Sequence, residues 1–142
     1  QTELAETPVA NTTLPKGNER ILFVDDDEIL ASLGEQLLSP LGYQVSMMTD
    51  STEALKMFTA NADHFDLVIT DQTMPGLTGK DLIAEVKKVR SNIPTILCTG
   101  YSRTIDEDKA AKLGISAFMM KPLDLPQLSQ TIRQVLDRDE EI

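Results

Sequence analysis

Five residues of this chain have side chains that could carry out chemistry together, and each follows a short apolar run. An ionised aspartate can accept a phosphoryl group as a nucleophile, and carboxylate oxygens are ligands that Mg²⁺ prefers. A lysine supplies positive charge and a threonine supplies a hydroxyl donor. The five are Asp25 and Asp26, Asp71, Thr99 and Lys121. The sequence therefore predicts a magnesium-dependent site for phosphoryl transfer, provided that the fold brings these residues together.

The charges of these side chains favour a divalent cation. Asp25, Asp26 and Asp71 are three carboxylates, and Lys121 returns one positive charge. Two carboxylates about 4 Å apart repel each other by about 4 kcal/mol at an effective dielectric constant of about 20. A bound Mg²⁺ relieves that repulsion and keeps open positions for water or a phosphoryl oxygen. Asp71 needs no general base, because an ordinary aspartate has a pKa of about 3.9.

Apolar runs alternate with helical patterns along the chain, which indicates an α/β fold. The pattern predicts a doubly wound, five-stranded parallel sheet, for which 2-1-3-4-5 is a common strand order. In that order the ends of strands one, three, four and five meet at one rim. Strands are predicted at 20–24, 43–47, 65–70, 94–98 and 116–120, and helices at 28–39, from Ser51, at 78–89, at 104–113 and after the cap Asp124. The first helix is expected to turn Ile29, Leu30, Leu33 and Leu37 inward, with Asp27 as its cap or as an acid in its first turn.

Composition excludes several classes of protein. The formal net charge of −10 over 142 residues leaves no basic surface for nucleic acid. No apolar run approaches the roughly 20 residues of a membrane span, so no direct membrane contact is expected. The single cysteine, Cys98, fits a reducing, cytoplasmic location. Residues 1–18 have linker composition, residues 19–138 are expected to form one folded domain, and residues 139–142 a charged tail.

Five short motifs stand out along the chain: Asp25-Asp26, Asp71 with Met74-Pro75-Gly76, Gly79, Thr99-Gly100 and Lys121-Pro122. Together they resemble the receiver domains of response regulators, the phosphoacceptors of two-component signalling. The resemblance covers about residues 19–138 and implies a flavodoxin-like (βα)5 fold.

The resemblance implies a role for each site residue. Asp71 is then the phosphoacceptor, and Lys121 pairs with the phosphoryl group. Asp26 and Asp71 bind Mg²⁺ with the backbone carbonyl of Thr73, and Asp25 assists through water. The Lys121-Pro122 peptide bond is expected to be cis.

Family members also couple the threonine to an aromatic residue of the last strand. Here Thr99 and Phe118 are the corresponding pair, and Phe118 lacks the hydroxyl that tyrosine has at this position in many members. The family tunes the lifetime of the phosphoryl group at the positions of Thr73 and Tyr101. Neither is an acid or an amide that would position a hydrolytic water, so we expect slow self-dephosphorylation with Tyr101 partly shielding the site.

The donor must come from outside this chain, because no glycine-rich nucleotide loop is present. The resemblance implies a sensor histidine kinase, a histidine phosphotransfer domain, or both as partners. The linker-like start favours the C-terminal receiver of a hybrid sensor histidine kinase, which can be membrane-anchored and would make the full-length protein a histidine kinase. A free-standing receiver is the alternative. The last strand and the last two predicted helices are the expected partner face, and the oligomeric state is not specified.

Two other functions compete with the phosphoacceptor hypothesis. Asp25-Asp26-Asp27 loosely resembles the start of haloacid-dehalogenase-like phosphatases, in which case Asp25 would be the nucleophile. The chain has no room for the substrate-covering cap of such enzymes. The other competitor is a receiver-like module that is never phosphorylated and acts by binding alone. The complete set of acceptor residues argues against it.

Overall fold

The chain folds into one parallel sheet with helices on both faces, in a computed structural model that describes residues 14–100 and 114–140. The strand order β2-β1-β3-β4-β5 confirms the predicted order. The helix predicted at 104–113 lies outside the described residues. The strands are β1 (Arg20–Val24), β2 (Gln44–Met48), β3 (Leu67–Asp71), β4 (Thr95–Thr99) and β5 (Ala117–Met120); the described helices are α1 (Glu28–Leu38), α2 (Ser51–Ala60), α3 (Gly79–Val89) and α4 (Leu125–Glu140).

The central strands are apolar throughout because both of their faces are covered. In β1, Ile21 and Phe23 point to the side packed by Leu38 of α1 and Ile132 of α4. Leu22 and Val24 point to the opposite side, in a cluster that includes side chains of α2 and α3. This two-sided burial fixes the register of the strands, and so it fixes where each strand ends.

The buried face of α1 differs from the predicted one. Ala31 and Gly34 are buried, whereas Ile29 is 78% exposed and Leu33 is 38% exposed. A Cβ atom on Gly34 would lie about 2.5 Å from the ring of Phe23, so small residues let the helix approach β1 closely. The inward prediction was therefore wrong for Ile29 and Leu33, which face solvent.

Side-chain caps begin each of the four described helices, which helps to fix the loops that precede them. Asp27 caps α1, as predicted, by accepting from the N–H groups of Ile29 and Leu30. Thr78 and Asp81 form a capping box at α3. The Asp124 carboxylate accepts from the N–H of Gln127 at 3.3 Å, which confirms it as the cap of α4.

The start of the described chain is hydrogen-bonded to the folded domain. Gly17 donates its N–H to Leu41 at 3.1 Å, and the carbonyl of Lys16 accepts from Arg133 at 3.1 Å. The helix α4 extends to Glu140, two residues into the predicted tail. Within residues 14–100 and 114–140, no helix combines the length and the apolar character needed to cross a bilayer.

Candidate phosphoacceptor site

Three carboxylates meet where β1 and β3 end. One oxygen each of Asp25, Asp26 and Asp71 lies within 4.8 Å of the others. Asp25 and Asp71 are buried, at 3% and 7% exposure, whereas Asp26 is exposed. The parallel sheet brings these residues together because β1 and β3 are neighbours and end at the same edge.

Lys121 reaches two of these carboxylates from the end of β5. Its Nζ lies 2.8 Å from Oδ2 of Asp25 and 2.7 Å from Oδ1 of Asp71. The other oxygen of Asp25 accepts the backbone N–H of Asp27 at 3.0 Å. Asp25 thus holds both Lys121 and the turn into α1, which leaves Asp26 and Asp71 as the better placed pair for direct metal binding. We call Asp25, Asp26, Asp71 and Lys121 the acidic site.

Burial and charge change the proton affinities of this group. Burial raises the pKa of Asp71, and the nearby Asp25 and Asp26 charges add to this, while the hydrogen bond and charge of Lys121 act against it. Burial acts to lower the pKa of Lys121, but hydrogen bonds to Asp25 and Asp71 outweigh it, and the pKa is raised. Lys121 is therefore a firmly protonated cation, and Asp71 is more basic than an ordinary aspartate.

Thr99 and Phe118 lie on adjacent strands next to the acidic site. Thr99 ends β4, is 6% exposed, and accepts the Lys121 N–H on its carbonyl oxygen at 2.9 Å. Phe118 is half-buried and pairs with Leu97, two residues before Thr99. Because side chains alternate along a strand, Thr99 and Phe118 point to the same face of the sheet.

The loop after β3, residues 72–78, begins directly beside the acidic site. Gly79 starts α3 so close to β3 that a Cβ atom there would collide with the carbonyl oxygen of Asp71. The carbonyl oxygen of Gln72 accepts the N–H of Gly79 at 3.0 Å, which closes the base of the loop. Thr73 lies exposed within this loop, and Tyr101 lies outside the described residues. The Lys121-Pro122 bond is cis, as expected.

The donor set of the acidic site fits Mg²⁺. One carboxylate oxygen of each of Asp25, Asp26 and Asp71 lies within 4.8 Å of the others, so these groups could hold one ion between them. All three groups offer oxygen, the ligand type that favours Mg²⁺ over thiolate-seeking metals.

Sequence reasoning missed two residues that shape this site. The carboxamide oxygen of Gln72 accepts the N–H of Lys80 at 2.9 Å, and the Ser51 hydroxyl bonds to the loop at Pro75 and Leu77. Ser51 was assigned only as the start of a helix. Its two contacts lie 24 and 26 residues away along the chain, so no local pattern reveals them.

An apolar cleft of about 320 Å³ opens beside the acidic site. Asp25 and Lys121 form one end of it, and Ile29 lies exposed on the same helix as two of its lining leucines. The outward-facing side of α1 therefore borders a cleft that reaches Asp25 and Lys121 of the acidic site. The lining residues are Asp25, Leu30, Leu33, Lys121, Pro122 and Leu123.

Comparisons with known proteins agree with this geometry. The family model described as "Response regulator receiver domain" matches residues 21–133. The "Probable transcriptional regulator ycf27" of Cyanidium caldarium is 33% identical over 123 residues, covering 87% of this chain and 48% of the relative. The "Sensor kinase CckA" of Brucella abortus is 29% identical over 140 residues, covering 95% of this chain and 14% of the relative.

A solved structure gives the same result for the fold. The crystal structure of a response regulator receiver domain protein from Clostridium thermocellum matches with a TM-score of 0.81 and 32% identity. The match covers 87% of this chain and 98% of that one. The curated relatives are longer: the chain spans about half the length of the ycf27 protein and a smaller part of the sensor kinase.

Proposed function

This chain belongs to the family of response regulator receiver domains of two-component signalling, and we propose that Asp71 is the residue that accepts its phosphoryl group. The observation that carries the assignment is the position of Asp71 at the end of β3. It is buried, paired with Lys121 at 2.7 Å, and grouped with Asp25 and Asp26. Asp25 is held by Lys121 and by the turn into α1, which favours a supporting role over a nucleophilic one.

In the proposed transfer from the partner, the donor is a phosphorylated histidine and the product on Asp71 is an acyl phosphate. One carboxylate oxygen of Asp71 forms a bond to phosphorus while the bond between phosphorus and the imidazole nitrogen breaks. The electron pair of that bond stays on the nitrogen, which leaves a neutral imidazole when the ring's other nitrogen carries a proton. Burial and the Asp25 and Asp26 charges raise the pKa of Asp71, and the greater basicity favours its attack.

The other side chains neutralise charge and orient the group. Lys121, which contacts Oδ1 of Asp71, is placed to follow the phosphoryl oxygens after transfer. In our proposal Asp26, Asp71 and the Thr73 carbonyl hold Mg²⁺, and Asp25 contributes through water. Mg²⁺ supplies, when bound, positive charge for the phosphoryl oxygens.

The switch that follows phosphorylation is proposed to use Thr99 and Phe118. The Thr99 hydroxyl would bond to a phosphoryl oxygen, and the Phe118 ring would take the space that Thr99 leaves. Their common face of the sheet and their adjacent strands support this pairing. Such a movement shifts an existing equilibrium between two states. Slow hydrolysis tuned by Thr73 and Tyr101 is proposed on the same family pattern.

We propose that the histidine donor docks on the outward side of α1. Ile29 is 78% exposed, and the cleft lined by Leu33 and Leu123 leads to Asp25 and Lys121. A donor must place its imidazole at Asp71, and this apolar surface leads to Lys121, which contacts Asp71. We propose that a downstream partner binds the other face, formed by the last strand and the last two predicted helices.

The similarity to a sensor kinase supports placing this receiver within a hybrid histidine kinase, with a free-standing receiver as the alternative. In the hybrid, the donor is the kinase's own phosphohistidine, and a histidine phosphotransfer domain can take the group onward. We propose a cytoplasmic location, in keeping with the single buried thiol of Cys98.

The acceptor assignment is tested by intact mass after treatment with acetyl phosphate and Mg²⁺. We expect wild-type protein to gain one phosphoryl group, and expect no gain without Mg²⁺ or in Asp71→Asn. A gain that persists in Asp71→Asn and disappears in Asp25→Asn would instead indicate a phosphatase-like nucleophile. Absence of any gain, even with a purified histidine kinase as donor, would indicate a binding module.

A further inference from the structure

A buried serine at the start of α2 is hydrogen-bonded to the loop that follows the acceptor strand. Ser51 is 2% exposed; its Oγ donates to the carbonyl oxygen of Pro75 at 3.3 Å and accepts the N–H of Leu77 at 3.1 Å. These two residues flank Gly76, whose φ of 78° is in the left-handed region. The hydroxyl therefore bridges the turn at Gly76 from outside the loop.

The position of the Ser51 hydroxyl is itself fixed. Asp50 caps α2 by accepting from the N–H groups of Thr52 at 2.9 Å and Glu53 at 3.1 Å. Phe58 anchors the other end of this helix in the core with 0% exposure. The start of α2 can thus serve as a fixed point against which the loop is held.

The loop is also held at its base, and Thr73 lies between the base and the turn that Ser51 holds. The carbonyl oxygen of Gln72 accepts the N–H of Gly79 at 3.0 Å, and Met74 is buried in the core. On the other side of Thr73, Ser51 holds the turn. Asp26, Ser51 and Gly76 line one cleft of about 220 Å³, so the serine lies beside the acidic site.

We propose that Ser51 is a positioning residue for the Mg²⁺ site. By holding the turn at Gly76, its hydroxyl fixes the loop backbone so that the carbonyl of Thr73 stays where the ion requires it. Ser51 does not touch the ion; it acts through the backbone. This inference rests on the proposed function, in which the Thr73 carbonyl is a ligand.

Removing the Ser51 hydroxyl should lower the affinity for Mg²⁺ more than it lowers the rate of phosphorylation at saturating Mg²⁺. Partners that orient metal ligands typically change metal affinity by roughly 10- to 100-fold when removed. Gln72 and Met74 still hold part of the loop, so we expect the lower end, about 10-fold. The phosphorylation rate at saturating Mg²⁺ should stay within about 2-fold of wild type, because Asp71 and Lys121 are unchanged.

The test compares four proteins by calorimetric titration with Mg²⁺. Ser51→Ala removes the hydroxyl, and Ser51→Thr keeps it. Ser129→Ala is the matched control: Ser129 is 0% exposed, and its hydroxyl bonds within its own helix to Pro126 at 3.0 Å. Amide hydrogen exchange at Leu77, whose N–H donates to Ser51, reports directly on the loop.

The inference predicts a Kd for Mg²⁺ about 10-fold higher in Ser51→Ala, with faster exchange at Leu77, and wild-type values in Ser51→Thr and Ser129→Ala. Equal Mg²⁺ affinity in wild type and Ser51→Ala would overturn it. So would equal weakening in Ser51→Ala and Ser129→Ala, which would indicate a general effect of lost stability. Lack of Mg²⁺ binding by the wild type would instead contradict the proposed metal site itself.

Discussion

Replacing Lys121 with methionine tests the electrostatic account of the acidic site. The substitution keeps the chain length and removes the charge that lies 2.8 Å from Asp25 and 2.7 Å from Asp71. Each contact is worth about 6 kcal/mol of Coulomb energy at an effective dielectric constant of about 20. Most of this is offset by the free energy of removing three charged groups from water. Breaking a buried ion pair on one side typically destabilises a protein by about 3–5 kcal/mol.

We expect Lys121→Met to lower the free energy of unfolding by about 3 kcal/mol at pH 7 in EDTA, because Lys121 is 21% exposed and retains some contact with water. For a chain of this size, about 3 kcal/mol corresponds to a fall in Tm of about 10 °C. The pKa of Lys121 is raised on folding, so its contribution is fully present at pH 7. The deficit should shrink as the pH is lowered, because Asp71, whose pKa is already raised, takes up a proton.

Thermal unfolding followed by circular dichroism measures this effect. Lys88→Met is the control: Lys88 is 71% exposed and pairs along its own helix with Glu85, and its replacement should change stability by no more than about 0.5 kcal/mol. The double variant Lys121→Met/Asp71→Asn should be more stable than Lys121→Met, because one uncompensated carboxylate is gone. A loss no larger than the control's, or a double variant no more stable than the single one, would refute the reasoning.

Three further outcomes follow from the structure. Mg²⁺ at about 100 times its Kd should raise the free energy of unfolding by about 2.7 kcal/mol, and Asp26→Asn should reduce the accompanying rise in Tm; an equal rise in both proteins would exclude Asp26 as a ligand. Burial raises the pKa of Cys98 to about 12, so Ellman's reagent at pH 8 should label it only after denaturation, and labelling of native protein within minutes would contradict its burial. Ile29→Ser should slow transfer from a phosphohistidine donor but leave phosphorylation by acetyl phosphate unchanged. Val89→Ser is the control, because Val89 is 42% exposed at the far end of α3, and it should affect neither reaction. Equal effects of the two substitutions would remove α1 from the docking surface.

The acidic site could be predicted from the sequence because its residues follow strand ends. Asp25 and Lys121 are 96 positions apart, yet both lie where a buried apolar run stops. A parallel sheet places all such positions on one edge. The strand order therefore brings these two residues, which are far apart in the sequence, to within 2.8 Å of each other.

The orientation of α1 could not be predicted in the same way. Hydrophobic spacing favoured burying Ile29 and Leu33, but the helix packs through Ala31 and Gly34. Close approach to Phe23 decided the outcome, and that distance depends on the sheet as well as on the helix. The contact of Ser51 with the loop after β3 could not be predicted for a related reason, because only the tertiary fold brings that loop near the serine.

The central claim is that the phosphoryl group resides on Asp71, and locating it chemically is the most direct test. After phosphorylation, borohydride reduction converts the acyl phosphate of the modified aspartate to homoserine, which peptide mass spectrometry assigns to a position. The account predicts homoserine at position 71, in wild-type protein and only when Mg²⁺ is present. Homoserine at position 25 or 26, or a phosphorylated protein without homoserine at position 71, would contradict it.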